Sequence, residues 1–127
     1  MNRSRGPLLS ATFATLVVTV GLGCSREGTA PPAVLTAGEV PERIESVFAT
    51  APTEARQAAV ELSGSLEAQP AGAFFGFQEL SYRPDLTPEQ RTAVAQAMMA
   101  ARAKLEAAAA GGDAAAREAL EQQAARK

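Results

Sequence analysis

From residue 41 onward the chain is interrupted at short intervals by residues that a helix cannot run through: Pro41, Pro52, Pro70, Pro84, Pro88 and the pair Gly111-Gly112. Proline lacks a backbone donor and its ring clashes with the preceding turn, so a helix tolerates it only in its first turn. Between these breaks apolar residues recur at helical spacing. Ile44, Val47 and Phe48 follow Pro41 at i, i+3 and i+4, and Pro52 stops the run. A second helix is predicted over 53–68, with Ala55, Ala58, Ala59, Leu62 and Leu66 along one stripe and Gln69-Pro70 as its break.

The clearest local signal is "RPDLTPEQRTAV". Pro84 and Asp85 make a turn, Thr87 is a good N-cap, Pro88 takes the first helical position, and Gln90 closes a capping box. The helix that follows is expected to reach about Ala110, with Val94, Ala97, Met98, Ala101, Leu105 and Ala108 on one side and Arg102 spaced to pair with Glu106. Gly111-Gly112 ends it. Asp113 then caps a last helix toward Lys127, loosely docked through the narrow line Ala116, Leu120 and Ala124, with Arg117 and Glu121 spaced to pair outside.

These segments predict an all-α fold of four to five short antiparallel helices, a helical hairpin array or small bundle, because short connections join spatial neighbours. The hydrophobic fraction is 46%, but it leans on alanine, and only 5% of residues are aromatic. Alanine buries little area, and at about 25 cal/mol per Å² the resulting core is thin.

Three of the five phenylalanines, Phe74, Phe75 and Phe77, lie together in "AGAFFGFQELSYRP", followed by Leu80 and Tyr82. Phe74 and Phe77 share a helical face with Leu80 while Phe75 points away, so this helix is expected to be covered on more than one side. Gly72 and Gly76, four apart, each cost about 1 kcal/mol of helix propensity, which predicts that a neighbouring helix comes close. Core packing is the expected role of the rings; Phe74, Phe75, Phe77 and Tyr82 are also the candidate interaction surface.

Several chemistries are disfavoured. With no histidine the chain lacks the usual general base and the commonest metal ligand. A single cysteine excludes an intrachain disulfide and a paired-cysteine metal knuckle. Ser63 and Ser65 have no nearby lysine to activate them, since the lysines are Lys104 and Lys127. The carboxylate pairs Glu42/Glu45 and Glu118/Glu121 fall on exposed faces, and Gly111-Gly112 precedes an aspartate that repels phosphate. No catalytic residue, cofactor or metal is expected. Nucleic acid is a poor partner: 12 basic residues face 14 acidic ones for a net charge of -2, which becomes -4 once Arg3 and Arg5 are removed.

Those two arginines open a three-zone N-terminus. A cationic start (Asn2-Arg3-Ser4-Arg5) is followed by fifteen residues from Leu8 to Leu22, largely apolar, and then Gly23-Cys24. The apolar stretch falls short of the ~20 residues a membrane-spanning helix needs, and the order of zones is that of a secretory signal peptide. "GLGC" resembles the lipobox of bacterial lipoproteins, in which a small residue precedes the lipidated cysteine.

That resemblance implies cleavage between Gly23 and Cys24. Cys24 then carries diacylglycerol on sulfur and an acyl group, such as palmitate, on the new amine, which anchors the chain stably. Ser25, where an inner-membrane retention signal would place aspartate, implies outer-membrane sorting with the chain facing the periplasm. At the third residue before the cysteine the family carries Leu or a similar residue, and this chain has Gly21. Gly21 and Gly23 also satisfy the small-x-small rule of ordinary signal peptidase, which releases a soluble secreted product.

Residues 25–40, "SREGTAPPAVLTAGEV", have no helical or alternating period. Pro31-Pro32 imposes extended geometry. The expected organisation is thus signal peptide 1–23, lipidated N-terminus and flexible, disordered tether 24–40, and an α-helical periplasmic domain 41–127.

Two further resemblances are local. "SLEAQPAGAFFGFQELSYRP" resembles one degenerate tetratricopeptide unit, with Ala73, Phe77 and Leu80 at its second-helix positions; over residues 53–84 it implies helix-turn-helix stacking. "LTPEQ" (Leu86 to Gln90) resembles the Leu-Thr-x-x-Gln signature of Spy-like periplasmic chaperones, although the capping box accounts for Thr87 and Gln90 by itself. The expected role is a non-catalytic interaction or scaffolding module with an envelope protein as partner. A holdase-type chaperone or envelope-stress protein is the alternative.

Overall fold

The computed structural model describes residues 33–126, and these fold into five helices with no strand among them. Cys24 and residues 1–23, the expected signal peptide, lie outside the described residues. The helices are α1 (Val40–Phe48), α2 (Thr53–Ser65), α3 (Pro70–Ser81), α4 (Pro88–Ala110) and α5 (Ala114–Ala125). At 23 residues α4 is not short. It packs against α1, α3 and α5, while α2 lies against α1 and α3.

Residues 33–39, assigned to the tether by their composition, are held on the domain instead. Gln96 Nε2 on α4 donates to the Ala33 carbonyl at 3.0 Å, Leu35 packs on the core, and Ala37 is buried. Glu39 accepts from the Thr36 amide (2.8 Å) and hydroxyl (2.7 Å), closing a turn that leads into α1. These two bonds favour the charged form and hold the Glu39 carboxyl below its ordinary pKa. The stretch has no periodicity because it is a single turn, and the Gln96 bond that holds its start comes from 63 positions away.

α1 buries Val40, Ile44 and Phe48, spaced by four, and leaves Val47 half-buried. α2 ends at Ser65, earlier than its apolar stripe predicts. Ser63 and Ser65 turn their hydroxyls back to the carbonyls of Val60 (2.8 Å) and Leu62 (3.0 Å), a competition that weakens a helix. Pro70 then keeps Gln69 out of the helical region, at φ -136° and ψ 64°. Leu66 is nonetheless fully buried from the turn that follows.

α3 buries Ala73, Phe74, Phe77 and Leu80. Its end and the start of α4 are joined by Arg91, whose guanidinium donates to the carbonyls of Ser81 (3.3 Å), Arg83 (3.0 Å) and Pro84 (3.5 Å). The capping box of α4 is complete: Thr87 Oγ1 accepts from the Gln90 amide at 3.2 Å, and Gln90 Oε1 accepts from the Thr87 amide at 3.0 Å. Gln90 Nε2 also reaches the Val47 carbonyl of α1 at 3.4 Å. The cap thus fixes where α4 begins relative to the end of α1.

The α4 to α5 turn has both bonds of a Schellman motif, with the Gly112 amide donating to Ala109 and the Asp113 amide to Ala108. Gly112 sits at φ +99°, where a side chain is strained. Asp113 Oδ1 caps α5 by accepting from the amides of Ala115 and Ala116. α5 buries Ala116 and Ala119 and leaves Ala124 exposed, so its docked face differs from the predicted line. Arg117 donates to the Gly112 carbonyl at 3.0 Å, serving the negative end of α4. The Arg102–Glu106 pair forms at 2.8 Å as its spacing predicts.

Of the two helical glycines in α3, one is required by packing. A Cβ on Gly76 would collide with the Leu62 side chain, so α2 comes close at this point. A Cβ on Gly72 meets only its own helix's Gln69, at 3.8 Å. Urea denaturation will therefore separate the two alanine variants. Gly72→Ala is expected to gain up to ~1 kcal/mol from helix propensity, while Gly76→Ala gains less or loses stability because Leu62 must move. Thr87→Ala, which removes the cap, should cost about 1 kcal/mol in the same measurement.

Candidate interaction groove

An open trough of about 700 Å³ lies between α2 and α3. On the α2 wall Ala58, Glu61, Leu62 and Ser65 stand at i, i+3, i+4 and i+7. On the α3 wall Gly72, Gly76, Glu79 and Leu80 continue to Arg83 beyond the helix end, and Gln69 closes the turn between the walls. The trough exists because the two helices touch closely at Leu62 over Gly76 and present small residues to either side. Ala58 and Leu62, read from periodicity as core, are half-buried and face this space.

Its charges are unevenly matched. Arg83 makes a two-pronged contact with Asp85, Nε to Oδ1 at 3.0 Å and Nη2 to Oδ2 at 2.8 Å, and stands 3.9 Å from Glu54. The hydrogen bonds to Arg83 hold the Asp85 carboxyl below its ordinary pKa, and the same bonds raise that of Arg83. Glu61 and Glu79 have no ion-pair partner among the described residues, so the trough is net acidic.

The phenylalanines of the candidate surface divide between core and surface. Phe74 and Phe77 are 4% and 0% exposed and belong to the core, which corrects their assignment to an accessible face. Their spacing with Ala73 and Leu80 turns them toward α4. Phe75 is half-buried, with its ring 5.5 Å from Phe74 in an edge-to-face contact and Arg126 of the C-terminal end above it at 5.3 Å. Tyr82, 75% exposed, falls on the same stripe as Phe75, seven residues on. The surface part of the set is therefore Phe75 and Tyr82, neither of which lines the trough.

Ser63 is buried with its hydroxyl committed to the Val60 carbonyl. Glu42, Glu45, Glu118 and Glu121 are exposed, and no group of three or more metal-ligating side chains forms among the described residues. Thr87 and Gln90 of "LTPEQ" are engaged in the capping box. A smaller apolar notch of about 240 Å³ lies where Phe74 and Gln123 meet Met98 and Met99 of α4, with Met99 42% exposed.

The trough was missed by the pattern of the sequence because Glu61 and Glu79 read as ordinary solvated charges. The available signal was Gly72, a helical glycine with no packing demand on it. Compared with known proteins, the chain matches no family profile, no curated protein and no solved structure.

The Arg83–Asp85 contact has a pH signature. Because the folded-state pKa of Asp85 is depressed, its contribution to stability is complete above the unfolded-state value and is lost as pH falls through the folded one. Carboxyl chemical shifts followed by NMR should show Asp85 titrating below the ordinary aspartate range, and moving up toward it in Arg83→Gln.

Proposed function

We propose that this chain is a small bacterial lipoprotein, held in the cell envelope by lipid on Cys24, whose helical domain is a non-catalytic protein-interaction or scaffolding module. The observation that carries the reading is the order of features along the chain. A cationic start, an apolar stretch too short to span a bilayer, "GLGC" and a Pro31-Pro32 linker follow one another in the order a lipoprotein precursor needs. Residue 33 then begins a stretch packed on the domain.

On this reading the mature protein is fastened to the periplasmic face of the outer membrane, with the linker ahead of Ala33 as its tether. The open trough between α2 and α3 and the exposed ring of Tyr82 support an interaction role. Ser63 bonded to a backbone carbonyl and a chain without histidine support a role without catalysis. Because the capping box uses Thr87 and Gln90, the adaptor reading is preferred to the chaperone one. A holdase suppresses client aggregation at stoichiometric amounts, and an adaptor does not.

Intact mass and membrane fractionation of the wild type beside Cys24→Ser test the anchor. The wild-type chain should be recovered with membranes, beginning at residue 24 and carrying diacylglycerol and acyl mass. Cys24→Ser should lose both the mass and the processing. A wild-type product that is soluble and carries no acyl mass overturns the anchor in favour of cleavage and release.

A further inference from the structure

We infer that the trough between α2 and α3 receives an amphipathic helix of a partner protein whose apolar stripe is flanked by lysine or arginine. This rests on the interaction reading above and names the chemistry of the partner.

Dimensions favour a helix over a small molecule. The α2 wall from Ala58 to Ser65 covers two turns, about 10 Å at 1.5 Å per residue. That is the span of the i, i+3, i+4 and i+7 side chains by which a helix docks in a groove. A small ligand is ordinarily enclosed over about 70–90% of its surface, whereas this trough of about 700 Å³ is open to solvent.

Its lining points the same way. Half-buried Ala58 and Leu62 offer apolar contact on the α2 wall. Gly72 is exposed and nothing on a neighbouring helix lies within 4 Å of where its Cβ would be. It forgoes about 1 kcal/mol of helix propensity relative to alanine, and a side chain placed there projects into open space in the trough.

Charge selects the partner. One uncompensated carboxylate stands on each wall, Glu61 on α2 and Glu79 on α3, while the arginine at the end of the trough is occupied by Asp85 and Glu54. A helix with basic residues on both sides of its apolar stripe meets both carboxylates. An acidic helix is repelled by both.

The test is site-specific photo-crosslinking of the full-length chain in its native host, with the photoreactive residue at position 72 inside the trough or at position 82 outside it. Adducts are mapped by mass spectrometry to the partner segment. Position 72 should give one discrete partner, joined through a helix with Lys or Arg three or four residues from the crosslinked site. Glu61→Lys with Glu79→Lys, both exposed and so compatible with folding, should lower the yield about tenfold as two surface attractions become repulsions. Changing the partner's basic residues to glutamate should restore it.

The inference is overturned if position 72 gives no adduct, if it crosslinks to a second copy of this chain or to an acidic segment, or if charge reversal leaves the yield unchanged. Adducts from position 82 with none from position 72 remove the trough as the site and leave the interaction module standing. Adducts from neither position remove both.

Discussion

The domain is organised by the alanine-lined face of α4. Ala93, Ala97, Ala100 and Ala101 are all 3% exposed or less, and α4 packs against α1, α3 and α5. Methyl groups there allow three helices to come close to one axis, but each buries little area and contributes little by itself. The large fully buried side chains, Phe48, Phe77, Ile44, Leu66 and Leu105, must then supply most of the apolar area. In such a core, where a helix starts matters as much as what it buries, because a shift by one residue replaces a small contact with a bulky or polar one.

That explains how much of the polar chemistry goes into fixing helix ends. Gln90 completes the α4 cap and reaches the end of α1 through one side-chain amide. Arg91 holds the end of α3 beside the same cap, and Asp113 with Gly112 sets the reversal into α5. Gln96, buried in α4, holds the approach to α1 in place through the Ala33 carbonyl. With α3 committed to α4 through Phe74, Phe77 and Leu80, the opposite side of α3 meets α2 at Gly76 and Leu62, and the trough is the space they leave.

Helix positions were legible where local chemistry decides them. Thr87, Pro88 and Gln90 specify a helix start, Gly111-Gly112-Asp113 specifies a stop and a restart, and the structure follows both. Less legible were features in which two local signals compete. The end of α2 reads as Ala68 by periodicity, yet serine hydroxyls and Pro70 end the helix at Ser65. Arg117 finds the carbonyl at the end of α4 rather than Glu121, because a helix terminus is a stronger local attraction than an exposed i,i+4 pair.

The residues alone determined that the chain from residue 41 onward is helical and broken into four to five segments, since proline, glycine and capping residues act on the backbone within a few positions of themselves. They also carry the whole of the proposed envelope-lipoprotein reading, which rests on the linear order of a cationic start, an apolar stretch, a cysteine and a proline pair. Tertiary structure decided which faces are covered. It took Phe74 and Phe77 into the core and left Tyr82 outside, joined residues 33–39 to the domain, and opened an acidic trough between α2 and α3. Periodicity states that a helix has an apolar side; only the packing of five helices states how much of that side remains in contact with water.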